Sequence, residues 1–139
     1  MAENLVLSKE LEEQLVSYAK KAMEKSYSPY SKFQVGAALL TADGNIYMGT
    51  NIENSSYGAS NCAERTAVFK AVSEGHRNFY AIAIVGGLNG NITGICTPCG
   101  ICRQVLNEFA DENMIVLLGN QQGYKKFTLG ELLPLSFSL

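Results

Sequence analysis

The sequence lacks several features that mark specialised classes of protein. It has no run of basic residues and a formal net charge of −2, which argues against a surface for nucleic acid. No stretch approaches the length of a membrane span, and there is no internal repeat, low-complexity tract or linker. The opening MAENLVLSKELEEQ carries acidic residues without a long apolar core, so we expect no secretory signal there.

Size and composition are those of one globular domain. The chain has 139 residues, of which 47% are hydrophobic and 17% charged, and such a chain can bury a core without disulfides. We therefore expect a single domain over residues 1–139. The absence of a signal, with the spacing of Cys96, Cys99 and Cys102, favours reduced thiols in a cytoplasmic protein.

Hydrophobic periodicity and turn residues predict the order α-β-β-α-β-α-β, followed by a tail. The predicted helices cover residues 8–25, 62–74 and 128–132, and a further helix is predicted to begin at Thr97-Pro98. The predicted strands cover residues 33–40, 46–51, 80–85 and 114–118. A hairpin turn is predicted at Asp43-Gly44, irregular structure at 52–60 and a loop at 86–95. Strands separated by helices imply an α/β fold, with a mixed sheet and helices packed on its faces.

Three cysteines and a glutamate predict a catalytic metal site. Cys62 lies two residues before Glu64, and Cys99 and Cys102 follow far downstream. Three thiolates can hold a zinc ion and leave its fourth position free for water. A carboxylate close to one of those ligands can then move protons for that water. The grouping therefore predicts a zinc hydrolase.

The expected ligands lie where helices begin, and the positive end of a helix favours the thiolates that zinc requires. Positions i and i+2 of a regular helix do not face each other. Cys62 and Glu64 can therefore serve one ion only if Cys62 occupies the cap. We predict that this helix begins at Cys62 or Ala63.

Cys96 leaves an alternative open. Together with the other three cysteines it could complete a closed four-cysteine zinc site, which would be structural. Against this, Cys96 precedes the expected helix start and would have to bend back. His76, the only histidine, lies at a helix end and is a poor ligand candidate.

The charged residues after Cys62 each have two interpretations. Three thiolates outweigh the charge of Zn²⁺ and make it a poor Lewis acid, so Arg65 could restore acidity by hydrogen bonding to the sulfurs. Arg65 could equally be a solvated helix residue. Glu64 could be one of the acidic residues common in a first helical turn.

These motifs resemble the zinc signature of the cytidine deaminases, the short homotetrameric kind. The resemblance rests on residues 62–65 and 98–104, on the segments at 27–39 and 49–58, and on 131–134 with Phe137. It covers nearly the whole chain. It implies a three-layer α/β/α sandwich with a mixed central sheet, and hydrolysis of cytidine and deoxycytidine to uridine and deoxyuridine in pyrimidine salvage. It also implies one zinc ion per subunit and a homotetramer with active sites at subunit interfaces, without a nucleic-acid or membrane partner.

The same resemblance implies individual roles. Cys62, Cys99 and Cys102 are the expected zinc ligands, Glu64 is the proton shuttle, and Arg65 supports the thiolates. Residues that would bind substrate are Asn51 and Glu53 at the ribose 3′-hydroxyl, Phe33 against the pyrimidine, the backbone of Ala63 at the base carbonyl, and Phe137 reaching into a neighbouring subunit.

Some of these residues also have a plain structural interpretation. Phe33 could be core, and Phe137 could belong to a loose tail, although apolar residues 132–135 argue for docking. Asn51 and Glu53 could be turn residues, but their spacing on an extended segment would let them share one face.

Three rival functions remain at this level: a related deaminase acting on a free base or an aminopyrimidine antibiotic, a nucleic-acid-editing deaminase, and a structural zinc module that binds another protein. The lack of a Lys/Arg cluster disfavours the second of these.

Overall fold

A computed structural model describes residues 7–139, so the first six residues of the acidic opening lie outside it. The helices are α1 (Lys9–Met23), α2 (Ala63–Ser73), α3 (Gly100–Phe109) and α4 (Leu129–Leu132); the strands are β1 (Phe33–Thr41), β2 (Ile46–Thr50), β3 (Phe79–Leu88), β4 (Ile115–Asn120) and β5 (Gly123–Thr128). A short 3₁₀ helix covers Tyr57–Ala59. None of the helices in this range is both long and apolar enough to cross a membrane.

The five strands form one mixed sheet in the order β2-β1-β3-β4-β5. β3 and β4 are parallel, and α3 lies in the connection between them; the other neighbouring pairs are antiparallel. The hairpin predicted at Asp43-Gly44 joins β1 to β2, with Leu40 opposite Ile46. The predicted mixed sheet is confirmed.

Helices cover both faces of the sheet. Alternate residues of a strand point to opposite faces, and on β1 Ala37 and Leu39 join one core cluster while Ala38 and Leu40 join the other. The first cluster is completed by residues of α2 and α3, and the second by residues of α1. The result is the expected three-layer α/β/α sandwich.

Two glycines allow helices to approach the sheet closely. A Cβ atom at Gly36 would lie 2.0 Å from the carbonyl oxygen of Ala19 in α1. A Cβ atom at Gly49 would lie 2.5 Å from the carbonyl oxygen of Ala63 and 2.4 Å from the amide nitrogen of Ala67. Any larger residue at Gly49 would displace the first turn of α2, which carries the residues expected to act on the substrate.

The structure corrects three sequence-based assignments. The third helix does not begin at Thr97-Pro98: it begins at Gly100, because Cys99 is the cap and its sulfur accepts a hydrogen bond from the amide of Cys102. Residues 86–88 belong to β3 and not to a loop, because they pair with residues 33–35. The sequence analysis missed β5, a largely polar edge strand whose pairing with β4 is set by tertiary contact.

Glu12 joins the two ends of the fold. Its buried carboxylate accepts hydrogen bonds from the hydroxyl of Tyr124 at 2.7 Å and from Nζ of Lys126 at 2.6 Å, both on β5. Burial by itself would raise the pKa of Glu12, but the hydrogen bonds from Lys126 and Tyr124 outweigh it and lower the pKa. The ionised form therefore stabilises the packing of α1 against the sheet edge.

We predict that Glu12→Gln lowers the free energy of unfolding at neutral pH by about 1–3 kcal/mol, because two hydrogen bonds lose their charged acceptor. The pKa of Glu12 in the folded chain lies below its ordinary value of 4.5, so its ionised form contributes fully to stability above that value. This contribution is lost as the pH falls through the folded-state pKa. The difference in free energy of unfolding between parent and variant, measured by denaturant unfolding, should therefore disappear in acid. The exposed Glu13→Gln is the control. A gap that persists unchanged in acid would contradict this account.

Candidate active site

The N-terminal ends of α2 and α3 meet at one cavity. Cys62 is the cap of α2 and Cys99 the cap of α3, and both have extended backbone, with φ −79° and ψ 156° for Cys62 and φ −68° and ψ 169° for Cys99. The predicted start of α2 at Cys62 or Ala63 is confirmed. Because Cys62 lies outside the helical turn, it can share a site with Glu64.

The geometry of three sulfurs fits a zinc ion. The Sγ atoms of Cys62, Cys99 and Cys102 all lie within 4.8 Å of one another. Cys62 and Cys99 are separated by 3.9 Å, and Cys99 and Cys102 by 3.5 Å. Tetrahedral zinc with bonds of about 2.3 Å to sulfur places its ligands about 3.8 Å apart. Cys96 is not part of this group, so the described residues do not form the alternative four-cysteine site.

Arg65 supplies positive charge to the sulfurs. Its Nη2 donates to Sγ of Cys62 at 3.2 Å. Its Nε is buried and has no hydrogen-bond partner within residues 7–139. Burial opposes the charge of Arg65, but hydrogen bonds to Cys62 and Cys102 raise its pKa. A half-buried guanidinium facing thiols in this way fits a site whose sulfurs are thiolates.

The thiols favour ionisation at Cys62. A hydrogen bond from Cys102 is the largest effect that lowers the pKa of Cys62, and together with the hydrogen bond and charge of Arg65 it brings this pKa to about 5. The same hydrogen bond raises the pKa of Cys102, because one proton is held between two sulfurs. A cation is therefore needed for all three to be ionised together, which is the chemistry of a metal site.

Glu64 is a buried acid in the first turn of α2. Only 4% of its surface is exposed, and it lines the cavity together with Cys62 and Cys99. Burial raises the pKa of Glu64 to about 7, and the negative charge of Cys62 adds to the shift. A carboxyl group with such a pKa can both accept and release a proton near neutrality. Glu64 does lie in the first turn of α2, as the alternative interpretation expected, but its side chain is buried in the cavity.

The cavity has a volume of about 480 Å³, within the range typical of small-molecule sites. Besides the residues already named, its wall includes several that the sequence analysis did not assign to the site. They are Val35, Tyr57, Gly58, Ser60, Asn61, Cys96, Thr97 and Ile101. Most of these residues are close in sequence to Cys62 or Cys99, and this closeness could have indicated that they line the cavity. Cys96 therefore lies on the cavity wall although it lies outside the sulfur cluster.

Asn51 is held by the first strand. Its Oδ1 accepts from the amide of Val35 at 2.9 Å and from the hydroxyl of Ser26 at 2.5 Å, while its Nδ2 donates to the carbonyl of Phe33 at 2.8 Å. This amide thus bridges β1 and the segment after β2. One N–H of its side chain remains available, and Asn51 lines the cavity.

Glu53 is fixed by the loop before β1. Its Oε1 accepts from the amides of Tyr30 and Ser31, at 3.0 and 3.1 Å, and its Oε2 accepts from the hydroxyl of Ser31. The hydrogen bond from Ser31 is the main reason that the pKa of Glu53 is lowered. The cavity is therefore lined by Glu53, a carboxylate, and by Asn51, an amide with one N–H available.

The remaining predicted substrate contacts lie at different places. Ala63 is buried and lines the cavity at the start of α2. Phe33 is 38% exposed and is not part of the cavity wall, but a Cβ at Gly86 would lie 3.1 Å from its ring and 3.0 Å from Sγ of Cys96. Phe33 is therefore adjacent to the wall at Cys96 and is not a core residue.

Phe137 lies away from the cavity of its own chain. Its side chain is 66% exposed, and its carbonyl accepts from Nε2 of Gln104 at 3.0 Å and Nδ2 of Asn107 at 3.2 Å, both on α3. The tail is therefore hydrogen-bonded to α3 through the backbone of Phe137, while Leu135 of the apolar stretch 132–135 remains exposed within this subunit. The exposed ring is not buried by its own subunit.

Comparison with known proteins identifies this arrangement. Residues 9–118 match the family model for the cytidine and deoxycytidylate deaminase zinc-binding region. The chain is 54% identical to a cytidine deaminase of Sporosarcina psychrophila, over 91% of this chain and 90% of that protein. It is 51% identical to a cytidine deaminase of Halalkalibacterium halodurans, over 89% and 92%. A crystal structure of cytidine deaminase from Burkholderia pseudomallei superposes with a TM-score of 0.81 at 48% identity, over 89% and 97%.

We predict that the purified protein carries one zinc ion per chain and that Cys99→Ser loses most of it, because a three-sulfur site cannot spare a ligand. Cys96→Ser is the matched control and should keep a full complement, measured by elemental analysis. X-ray absorption should find three sulfur neighbours. Zinc loss in Cys96→Ser, or four sulfur neighbours in the parent, would restore the closed-site alternative.

Proposed function

Because the chain belongs to the family of cytidine and deoxycytidylate deaminases, we propose that it hydrolyses the exocyclic amine of free cytidine and deoxycytidine. The products are uridine or deoxyuridine and ammonia. One observation carries the proposal: a buried carboxyl, Glu64, lies in the same cavity as three thiols spaced for zinc.

The three cysteines of the cluster would hold zinc, with Arg65 drawing charge from the sulfurs. When bound, zinc supplies Lewis acidity that makes water a nucleophile near neutral pH. Two separate helices hold these sulfurs: Cys62 is the cap of α2, Cys99 is the cap of α3, and Cys102 is buried in the first turn of α3.

Glu64 carries the protons of the reaction. It takes a proton from the attacking water and delivers it to N3 of the pyrimidine, which makes C4 electrophilic. After the water oxygen adds at C4, Glu64 carries the second proton from the new C4 hydroxyl to the amine, the C4–N bond breaks to release ammonia, and the C4 carbonyl forms. Burial supports this cycle, since a carboxyl with a pKa of about 7 can return to either state.

Asn51 and Glu53 would bind the ribose 3′-hydroxyl. A hydroxyl donates one hydrogen bond and accepts others. The free N–H of Asn51 can donate to it and the carboxylate of Glu53 can accept from it, and both side chains are already fixed by bonds to the loop and β1. The backbone of Ala63 would contact the base carbonyl, and Phe33 would pack on the pyrimidine from beside Cys96.

The same contact favours a free nucleoside over a nucleotide within a strand. A phosphate at the 3′ position would approach the carboxylate of Glu53 and be repelled. The chain also has a net charge of −2, unlike proteins that hold single-stranded nucleic acid. We propose that the reaction belongs to pyrimidine salvage and that each subunit is a single domain. We further propose that the protein acts in the cytoplasm, where four cysteines without a disulfide are expected.

Glu64→Gln tests this assignment. The variant should retain its zinc, while the rate of absorbance change with cytidine falls by about 10²–10⁴-fold, because the amide cannot transfer the protons. The exposed Glu74→Gln at the end of α2 serves as a control and should keep parental turnover. Undiminished turnover in Glu64→Gln would reject the role of this carboxyl.

The active form is a homotetramer in which subunits share their sites. Large apolar side chains stay exposed around the cavity, including Tyr57, which is 90% exposed, and Ile101, which is 61% exposed. Exposed apolar surface of this kind favours association. Phe137, displayed on the docked tail, would enter the cavity of a neighbouring subunit.

Mixed tetramers test the shared site. Subunits carrying Glu64→Gln and subunits carrying Phe137→Ala should each be weakly active alone. Refolding them together should give activity well above the sum, because some sites then combine an intact Glu64 with a neighbour's Phe137. Glu64→Gln mixed with Cys99→Ser is the control and should give no activity above the sum, because both residues belong to the part of the site that a subunit supplies itself. Sedimentation should report tetramers. A fully active monomer would overturn the arrangement.

A further inference from the structure

Arg103 connects two segments that lie far apart in the sequence. It is half-buried on α3, directly after Cys102. Its Nε donates to the carbonyl of Pro98 at 2.7 Å, and its Nη1 donates to the carbonyl of Leu132 at 2.6 Å. Pro98 precedes Cys99, and Leu132 ends α4. A single guanidinium thus links the backbone just before Cys99 to the C-terminal end of α4.

The segment before Cys99 packs against the core at Ile92 and Cys96 but has a single polar anchor. Residues 92–98 form no helix or strand, and within residues 7–139 the only hydrogen bond found for this segment is the one from Arg103 to Pro98. Pro98 is buried, so its carbonyl needs a partner. Without Arg103, the backbone entering the Cys99 cap would have an unsatisfied buried carbonyl and no polar anchor.

The other end of the bridge is firmly fixed. α4 has a complete capping box between Thr128 and Glu131, and Leu129 is buried in the core. The amide of Leu133 also donates to the carbonyl of Leu129 at 2.8 Å. Arg103 therefore ties a segment with one polar anchor to the fixed end of α4.

We propose that Arg103 is a positioning residue that fixes Cys99 within the sulfur cluster by tying Pro98 to the end of α4. The inference rests on the proposed zinc site. It gives Arg103 no contact with substrate; its effect is on how tightly the ion is retained. The planar guanidinium suits the task because it donates to two carbonyls in different directions, which an ammonium on a flexible stem cannot do equally well.

The experiment measures zinc release from the holoenzyme into an excess of a coloured chelator. Arg103→Gln should release zinc about 10-fold faster or more, the effect typical of lost support around a metal ligand. Arg103→Lys should fall between Arg103→Gln and the parent, because it keeps the charge but not both bonds. A lysine that restored the parental rate in full would show that charge alone matters and would overturn the positioning role.

Val105→Ala separates positioning from general stability. Val105 lies on the same helix and packs against the core, so its truncation destabilises α3 without removing the bridge. If Arg103→Gln releases zinc faster than Val105→Ala at equal loss of Tm, the proposal stands. Equal release rates at equal Tm loss would overturn it, as would Arg103 variants that cannot fold even with excess zinc.

The parent protein distinguishes this inference from the proposed function. A parent that binds no zinc or does not deaminate cytidine would refute the proposed function itself. A parent that does both, with Arg103→Gln releasing zinc at the parental rate, would refute only the role of Arg103.

Discussion

The site depends on keeping three sulfurs close together where two helices begin. Three thiolates within 4.8 Å repel one another strongly, so a cation must lie among them. The chain lessens the remaining charge with the N-terminal ends of α2 and α3 and with the guanidinium of Arg65 at 3.2 Å from Cys62. Burial is the main reason that the pKa of Glu64 is raised to about 7, and the negative charge of Cys62 adds to it. Metal retention therefore depends on charge, whereas proton transfer by Glu64 depends mainly on burial.

The sheet brings these groups together by close packing. Gly49 lets the first turn of α2 approach β2 so closely that a Cβ atom would overlap the backbone of Ala67. Asn51 binds the backbone of β1 on one side and lines the cavity on the other. The residue that we propose to bind the ribose is thus also one that holds two chain segments together. Its substitution would disturb both, whereas Glu53, held by a loop, can be altered with less effect on the sheet.

Sequence reasoning succeeded where a local rule was sufficient. The opposition of positions i and i+2 in a helix required Cys62 to be a cap, and α2 does begin at Ala63. The same reasoning failed for α3, because Thr97-Pro98 is an ordinary helix start while the actual cap is the thiol of Cys99. It also failed for β5, since Gly123–Thr128 has little hydrophobic alternation and becomes a strand by pairing with β4.

The candidate site residues and the mixed α/β order could be predicted from residue chemistry and local periodicity alone: three cysteines, Glu64 and Arg65 lie at helix starts. The fold was needed to show that Cys96 stays outside the sulfur cluster while lying on the cavity wall. Only the structure revealed that Arg103 joins Pro98 to Leu132. Such contacts depend on how separate segments approach one another across the sheet, and no spacing along the chain encodes that distance.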